Sequence, residues 1–159
     1  IIMSTGLLIA IVGALLSTIV AGLGSAIGVQ MAGKAATGVV SERPELFGKL
    51  LILQALPGTQ GIYGFLVTVL VFVELGFLSG NPALTLETAT GWAFFGACMP
   101  ATIIGFLSAL YQARMSVYSI QMTAKQPDAA AKGMTMTVLV ETYAILSLLV
   151  SILLVTNVM

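Results

Sequence analysis

The chain has 159 residues, of which 58% are hydrophobic and 8% charged, with a mean hydropathy of +1.09. A soluble domain of this size and composition would have a mostly apolar surface, so that class is excluded and the membrane class remains. Six basic and six acidic residues cancel, which gives no charge argument for nucleic acid or an anionic surface; with no histidine and one cysteine, Cys98, there is no basis for a disulfide framework or a zinc or haem site.

Hydropathy predicts four membrane-spanning helices, at about 4–40, 46–79, 86–123 and 129–158, each longer than the ~20 residues that cross the hydrocarbon. The first has an apolar start without the basic flank of a secretory signal, so it is expected to be a retained helix. It is dense in small residues. Gly24 and Gly28 form a GxxxG pair, with Ala21, Ser25, Ala32 and Ala36 nearby. Such a stripe allows close helix contact, either as ordinary packing or on the inner side of an assembly. The charged turn "SERPE" (Ser41 to Glu45) ends this span.

The second span contains "LQALPGTQGIYGF" (Leu53 to Phe65), an unusually polar stretch for this depth. Leu56, Thr59, Gln60 and Tyr63 fall at i, i+3, i+4 and i+7, one helical stripe. Pro57 cannot donate to the Leu53 carbonyl and is expected to loosen the helix there, which membranes tolerate where the backbone lines a site. "SGNP" (Ser79 to Pro82) then breaks the chain.

The third span carries Gln112 and ends at "KQPD" (Lys125 to Asp128); the fourth carries Glu141. Gln112 and Glu141 are nearly equidistant from that turn on opposite arms of a hairpin, so they should meet at one depth. Glu141 lies nine residues beyond Lys132, on the order of 14 Å into the membrane at 1.5 Å per residue. An ionised carboxylate there costs ~2.5–3.5 kcal/mol or more, so it must be protonated, paired or bound to a cation. Glu74 lies near the outer end of its helix and reads as an interfacial carboxylate.

The two halves repeat. A shift of 83 residues superimposes Gly13 on Gly96, Gly22 on Gly105, Ser25 on Ser108, Pro44 on Pro127 and Lys49 on Lys132. The expected architecture is an all-α membrane protein: one domain, 1–159, of two tandem hairpins, 1–79 and 86–159, in parallel orientation. An inverted repeat would suit alternating access; a parallel one suits equivalent places around a ring. All six basic residues flank the first and third turns, so the positive-inside rule puts these turns in the cytoplasm and both termini outside.

The same shift maps Glu141 onto Gly58, so the polar stripe of the second span lies level with the carboxylate. Glu141, Thr59, Gln60 and Gln112 then offer a carboxylate, a hydroxyl and two amide oxygens, with Tyr63 placed to donate a hydrogen bond to Glu141. An all-oxygen set with one charge suits a monovalent hard cation. A proton would need the carboxylate alone, which favours Na⁺ over H⁺; Li⁺ is expected to substitute and K⁺ to be too large. Singly, each neutral polar residue would suit ordinary helix bonding as well.

"LPGTQGIYGF", "VETYAIL" and the duplicated hairpin resemble the proteolipid ring subunit of prokaryotic V-type (A/V-type) rotary ATPases, especially sodium-pumping members. The resemblance covers essentially the whole chain. It implies Na⁺ ligands at the Leu56 carbonyl and the Thr59, Gln60, Gln112 and Glu141 side chains, with Tyr63 bonding the carboxylate. It further implies a rotor ring of identical subunits in lipid, a central stalk on the cytoplasmic turns and a stator subunit with an essential arginine. Ions would enter and leave by stator half-channels, riding the ring on Glu141. The subunit itself would not be an enzyme, having neither a phosphate loop nor a nucleophile with its base. The alternatives are a proton rotor using the same glutamate and a small stand-alone cation transporter.

Overall fold

The computed structural model describes residues 3–80 and 84–158. Within them, four spans are long and apolar enough to cross a membrane: Thr5–Glu42, Pro44–Glu74, Thr88–Lys125 and Pro127–Val155. The helices are α1 (Thr5–Glu42), α2 (Phe47–Ala55), α3 (Thr59–Glu74), α4 (Thr88–Lys125) and α5 (Ala130–Val155). No strand occurs among the described residues. At 38 residues each, α1 and α4 are on the order of 57 Å long at 1.5 Å per residue, well beyond a ~30 Å hydrocarbon core.

The sequence repeat is visible in the backbone. α1 and α4 end at non-helical residues, Arg43 and Gln126, both with φ of −135°. Each is followed by a 3₁₀ turn that begins with proline, Pro44–Leu46 and Pro127–Ala129. Proline suits this first helical position because its φ is preset and the missing N–H would have no partner. The two turns share one end of the molecule: Arg43 Nη1 donates to Ala124 O at 2.5 Å and Lys49 Nζ to Pro127 O at 3.0 Å. At the other end, Ser4 Oγ accepts from Leu7 N at 3.3 Å and from Leu86 N at 2.8 Å, and donates to Leu86 O at 3.1 Å. One hydroxyl thus caps α1 and holds the segment that leads into α4.

The second span is shorter than the hydropathy profile predicts. It was expected to reach residue 79, but α3 stops at Glu74. Gly76 has φ +75°; Phe77 N bonds Phe72 O and Gly76 N bonds Val73 O, both at 3.0 Å. This is a Schellman stop, and glycine adopts the left-handed conformation without strain. Of the "SGNP" break, Asn81 and Pro82 lie outside the described residues.

α1 packs most extensively on α4, α3 packs on α1, and α5 packs on α4. The predicted GxxxG stripe serves these contacts within the chain. A methyl added to Gly24 would lie 2.9 Å from Phe106 Cα, and one on Gly28 2.8 Å from Pro57 Cβ. Gly64 brings α3 equally close to α1: its added methyl would overlap Ser17 O and lie 2.8 Å from Ala21 Cβ. Gly64→Ala should therefore push α3 off α1 and cost ~1–3 kcal/mol, read as a lower temperature at which the purified protein loses its helical circular dichroism in detergent. The equivalent change at Gly48, where an added methyl meets nothing, should lower it far less.

Two apolar clusters fill the interior. One, around Leu7, Ala10, Val67, Val71 and Phe94, lies towards the Ser4 end. The other, around Ala32, Leu46, Leu50, Leu53 and Ile120, lies towards the turns. Between them is a layer of buried polar side chains.

Candidate functional site

The break between α2 and α3 starts this layer. Leu56–Gly58 form a 3₁₀ turn, with Pro57 buried inside it. Pro57 leaves the Leu53 carbonyl without its helical donor, and Ser116 Oγ of α4 takes over at 2.6 Å. The loosening expected at Pro57 is thus present but satisfied by a side chain, as buried backbone requires.

The predicted stripe then leads into one continuous hydrogen-bonded path. Thr59 Oγ1 donates to Leu56 O at 3.1 Å and lies 3.4 Å from Gln60 Oε1. Gln60 Nε2 donates to Gln112 Oε1 at 2.5 Å. Gln112 Nε2 donates to Glu141 Oε2 at 3.4 Å. Tyr63 O–H closes the path on Glu141 Oε1. Leu56, Thr59, Gln60, Gln112, Glu141 and Tyr63 are brought together from three spans, and the path begins and ends on the same stripe. Gln60 and Gln112 are fully buried and Glu141 is 8% exposed; Leu56, Thr59 and Tyr63 are half-buried.

Gln112 is oriented otherwise than expected. It turns its amide nitrogen to Glu141 and its oxygen to Gln60. A carboxylate facing an amide oxygen would set two acceptors together, and turning the amide over resolves that. Glu141 thereby accepts a bond on each oxygen.

A second layer holds the path in place. Ser108 Oγ lies 3.4 Å from Gln60 Nε2 and donates to Val140 O at 3.2 Å. Thr137 O lies 3.4 Å from Gln112 Nε2. Ser25, the repeat mate of Ser108, accepts from Gly61 N at 2.8 Å. The sequence pairs these serines by the repeat, and that pairing is the signal for their shared place at the seam inside each hairpin. Glu74 lies away from the path, in the last turn of α3. Among the described residues no three His, Cys, Asp or Glu side chains gather.

The sequence model of the ATP synthase C-subunit family matches this chain twice, at residues 12–71 and 95–154. The chain is 41% identical over 152 residues to the V-type sodium ATPase subunit K of Enterococcus hirae, covering 96% of this chain and 93% of that protein. It is 39% identical over 152 residues to the A-type ATP synthase subunit K of Methanocaldococcus jannaschii, covering 96% of this chain and 64% of that longer protein. The family match falls once on each hairpin, and its two starts differ by the same 83 residues as the internal repeat. This chain belongs to the ATP synthase C-subunit family, as a member with two tandem hairpins.

Proposed function

We propose that the chain is the rotor-ring subunit of a V-type rotary ATPase and carries Na⁺ across the membrane on Glu141. The subunit is non-catalytic and moves ions; ATP is handled elsewhere in such a complex. The observation that carries the reading is the unbroken path Leu56–Thr59–Gln60–Gln112–Glu141–Tyr63 in the buried polar layer. The printed name of the Enterococcus hirae relative, a sodium ATPase subunit, supports Na⁺ as the cargo.

The donor set fits the ion. Gln60 Oε1 already lies beside the Thr59 hydroxyl, which bonds the Leu56 carbonyl, and turning the Gln112 amide over would bring its Oε1 to the Glu141 carboxylate. These are hard oxygens with a single negative charge, as a dehydrated monovalent cation needs. Tyr63 holds the carboxylate by one oxygen and leaves the other for the ion. Neutralised in this way, Glu141 can pass through lipid; empty and ionised, it cannot. Li⁺ would share the site. The ring would meet a stator subunit whose arginine displaces the ion, and a central stalk would sit on the turns at Arg43 and Pro127. We place these turns in the cytoplasm and both hairpins, 1–79 and 86–159, in one membrane domain.

Carbodiimide labelling tests the cargo. The reagent attacks protonated buried carboxyls, and a bound cation keeps the carboxylate ionised. Glu141 should be the labelled residue, and Na⁺ should protect it in step with ²²Na⁺ binding to the purified oligomer. Labelling that follows pH and ignores Na⁺ would replace the sodium reading with a proton rotor.

A further inference from the structure

The break in the second span is tied at each end to a different helix. At one end Ser116 Oγ of α4 donates to Leu53 O at 2.6 Å. At the other, Ser25 Oγ of α1 accepts from Gly61 N at 2.8 Å. Both serines are buried. Between the two tied groups lie Leu56, Thr59 and Gln60, every ion ligand that this span offers on the reading above. Pro57 sits in the same clasp: a methyl added to Gly28 of α1 would lie 2.8 Å from Pro57 Cβ and 3.3 Å from Ala113 Cβ of α4.

The repeat shows that the ties belong to the break. α5 runs unbroken through Val140, the mate of Pro57. The mate of Ser116 is Gly33, so the serine stands only in the half where proline has freed a carbonyl. Ser25 and Ser108 are mates, yet they work in opposite senses. Ser108 donates to the Val140 carbonyl at 3.2 Å, whereas Ser25 accepts an amide proton. The broken backbone offers a donor where the unbroken one offers an acceptor, and the same hydroxyl answers both.

We propose that Ser25 and Ser116 are positioning residues for the ion site. They splint the broken turn so that the Leu56 carbonyl, Thr59 and Gln60 keep their spacing, and that spacing sets both the affinity for Na⁺ and the exclusion of K⁺. The step rests on the sodium reading above. A proline break has no complete ladder of its own to fix its carbonyls. Both ties end on α1 and α4, the pair that packs most extensively, so the turn takes its position from the firmest part of the molecule. A carbonyl held at a set distance suits one ionic radius, and one that gives way follows a larger ion. Neither serine belongs to the path that ends on Glu141, so proton binding there does not depend on them.

Carbodiimide labelling of Glu141 in the purified oligomer, with Na⁺ or K⁺ as protectant, tests the splint. In Ser25→Ala and in Ser116→Ala the Na⁺ concentration for half-protection should rise roughly tenfold, as for lost outer-shell partners of a metal site. The ratio of K⁺ to Na⁺ needed for equal protection should fall. The pH profile of labelling without either ion should match that of the unsubstituted protein, which shows carboxylate and fold to be intact. The Gly61 amide should exchange its hydrogen faster in Ser25→Ala, an effect that needs no ion. Ser151→Ala is the control. It removes an equally buried hydroxyl that accepts from Ala101 N at 3.1 Å, beside Pro100 of α4, and should leave Na⁺ protection unchanged. Unchanged Na⁺ protection in either Ser25→Ala or Ser116→Ala overturns the proposal, and so does an equal shift in Ser151→Ala. If Ser116→Ala does not assemble, Ser25→Ala alone decides. Absence of Na⁺ protection in the unsubstituted protein removes the sodium reading and the splint with it; normal protection there, unchanged in the serine variants, removes the splint alone.

Discussion

Glu141→Gln should abolish ion transport, and the ATP hydrolysis coupled to it, in a ring that still assembles. The amide has nearly the shape of the carboxyl, and its oxygen can still accept from Tyr63. It is also easier to bury: an ionised carboxylate at this depth costs ~2.5–3.5 kcal/mol or more, which a neutral amide avoids. What disappears is the only charge on the path, and with it the attraction that holds a dehydrated cation. Transport by the reconstituted complex and ring size on a native gel should therefore separate completely. Glu74→Gln, in the last turn of α3 and away from the path, should leave transport close to normal. The opposite pattern, loss in Glu74→Gln alone, would mean that the wrong carboxylate has been assigned.

Gln60→Ala should weaken Na⁺ binding without removing the carboxylate. Gln60 is fully buried and sits between Thr59 and Gln112, so its loss removes one oxygen from the ion and leaves Gln112 Oε1 without its donor. A missing partner in a buried site costs ~1–3 kcal/mol, which corresponds to a loss of roughly five- to hundredfold in affinity. Thr59→Ala, at a half-buried position, should fall at the lower end. Proton binding at Glu141 does not use these oxygens, so carbodiimide labelling at low pH should persist in both variants while Na⁺ protection shifts to higher concentration. If Thr59→Ala, Gln60→Ala and Gln112→Ala all keep the original Na⁺ affinity, the polar stripe only bonds helices together.

The four spans and the depth of the site are legible in the sequence because the hairpin turns act as fixed pivots. Counting residues outward from Pro127 brings Gln112 and Glu141 to one level, and the structure puts them in contact. The 3.6-residue period places Leu56, Thr59, Gln60 and Tyr63 on one side, and all four join the path. What is not legible depends on the rotation of one helix against another. The period of α4 does not say that Ser116, among the serines of that helix, faces the Leu53 carbonyl. Nor does composition say which end of the Gln112 amide faces Glu141; that follows from which neighbours are acceptors. The early stop of α3 escaped because Gly76 is one of 17 glycines in the chain, and its positive φ together with the bonds to Phe72 O and Val73 O marks it as the one that ends a helix.

The bonds that tie the two turns together also bear on how the subunit takes a load. Arg43 to Ala124 O and Lys49 to Pro127 O join the hairpins at one end, and Ser4 joins them at the other through Leu86. A sideways push on either turn is shared by both, so the pair answers as one stiff lever and not as two rods that slide past each other. With both ends pinned, bending collects where a helix is weakest. One such place is the 3₁₀ turn at Pro57, where α2 and α3 meet without a continuous backbone ladder; Pro100 inside α4 is another. On the proposed reading, a load applied at the turns would be felt as strain around Leu56 and Thr59, which lie on the same hydrogen-bonded path as Glu141.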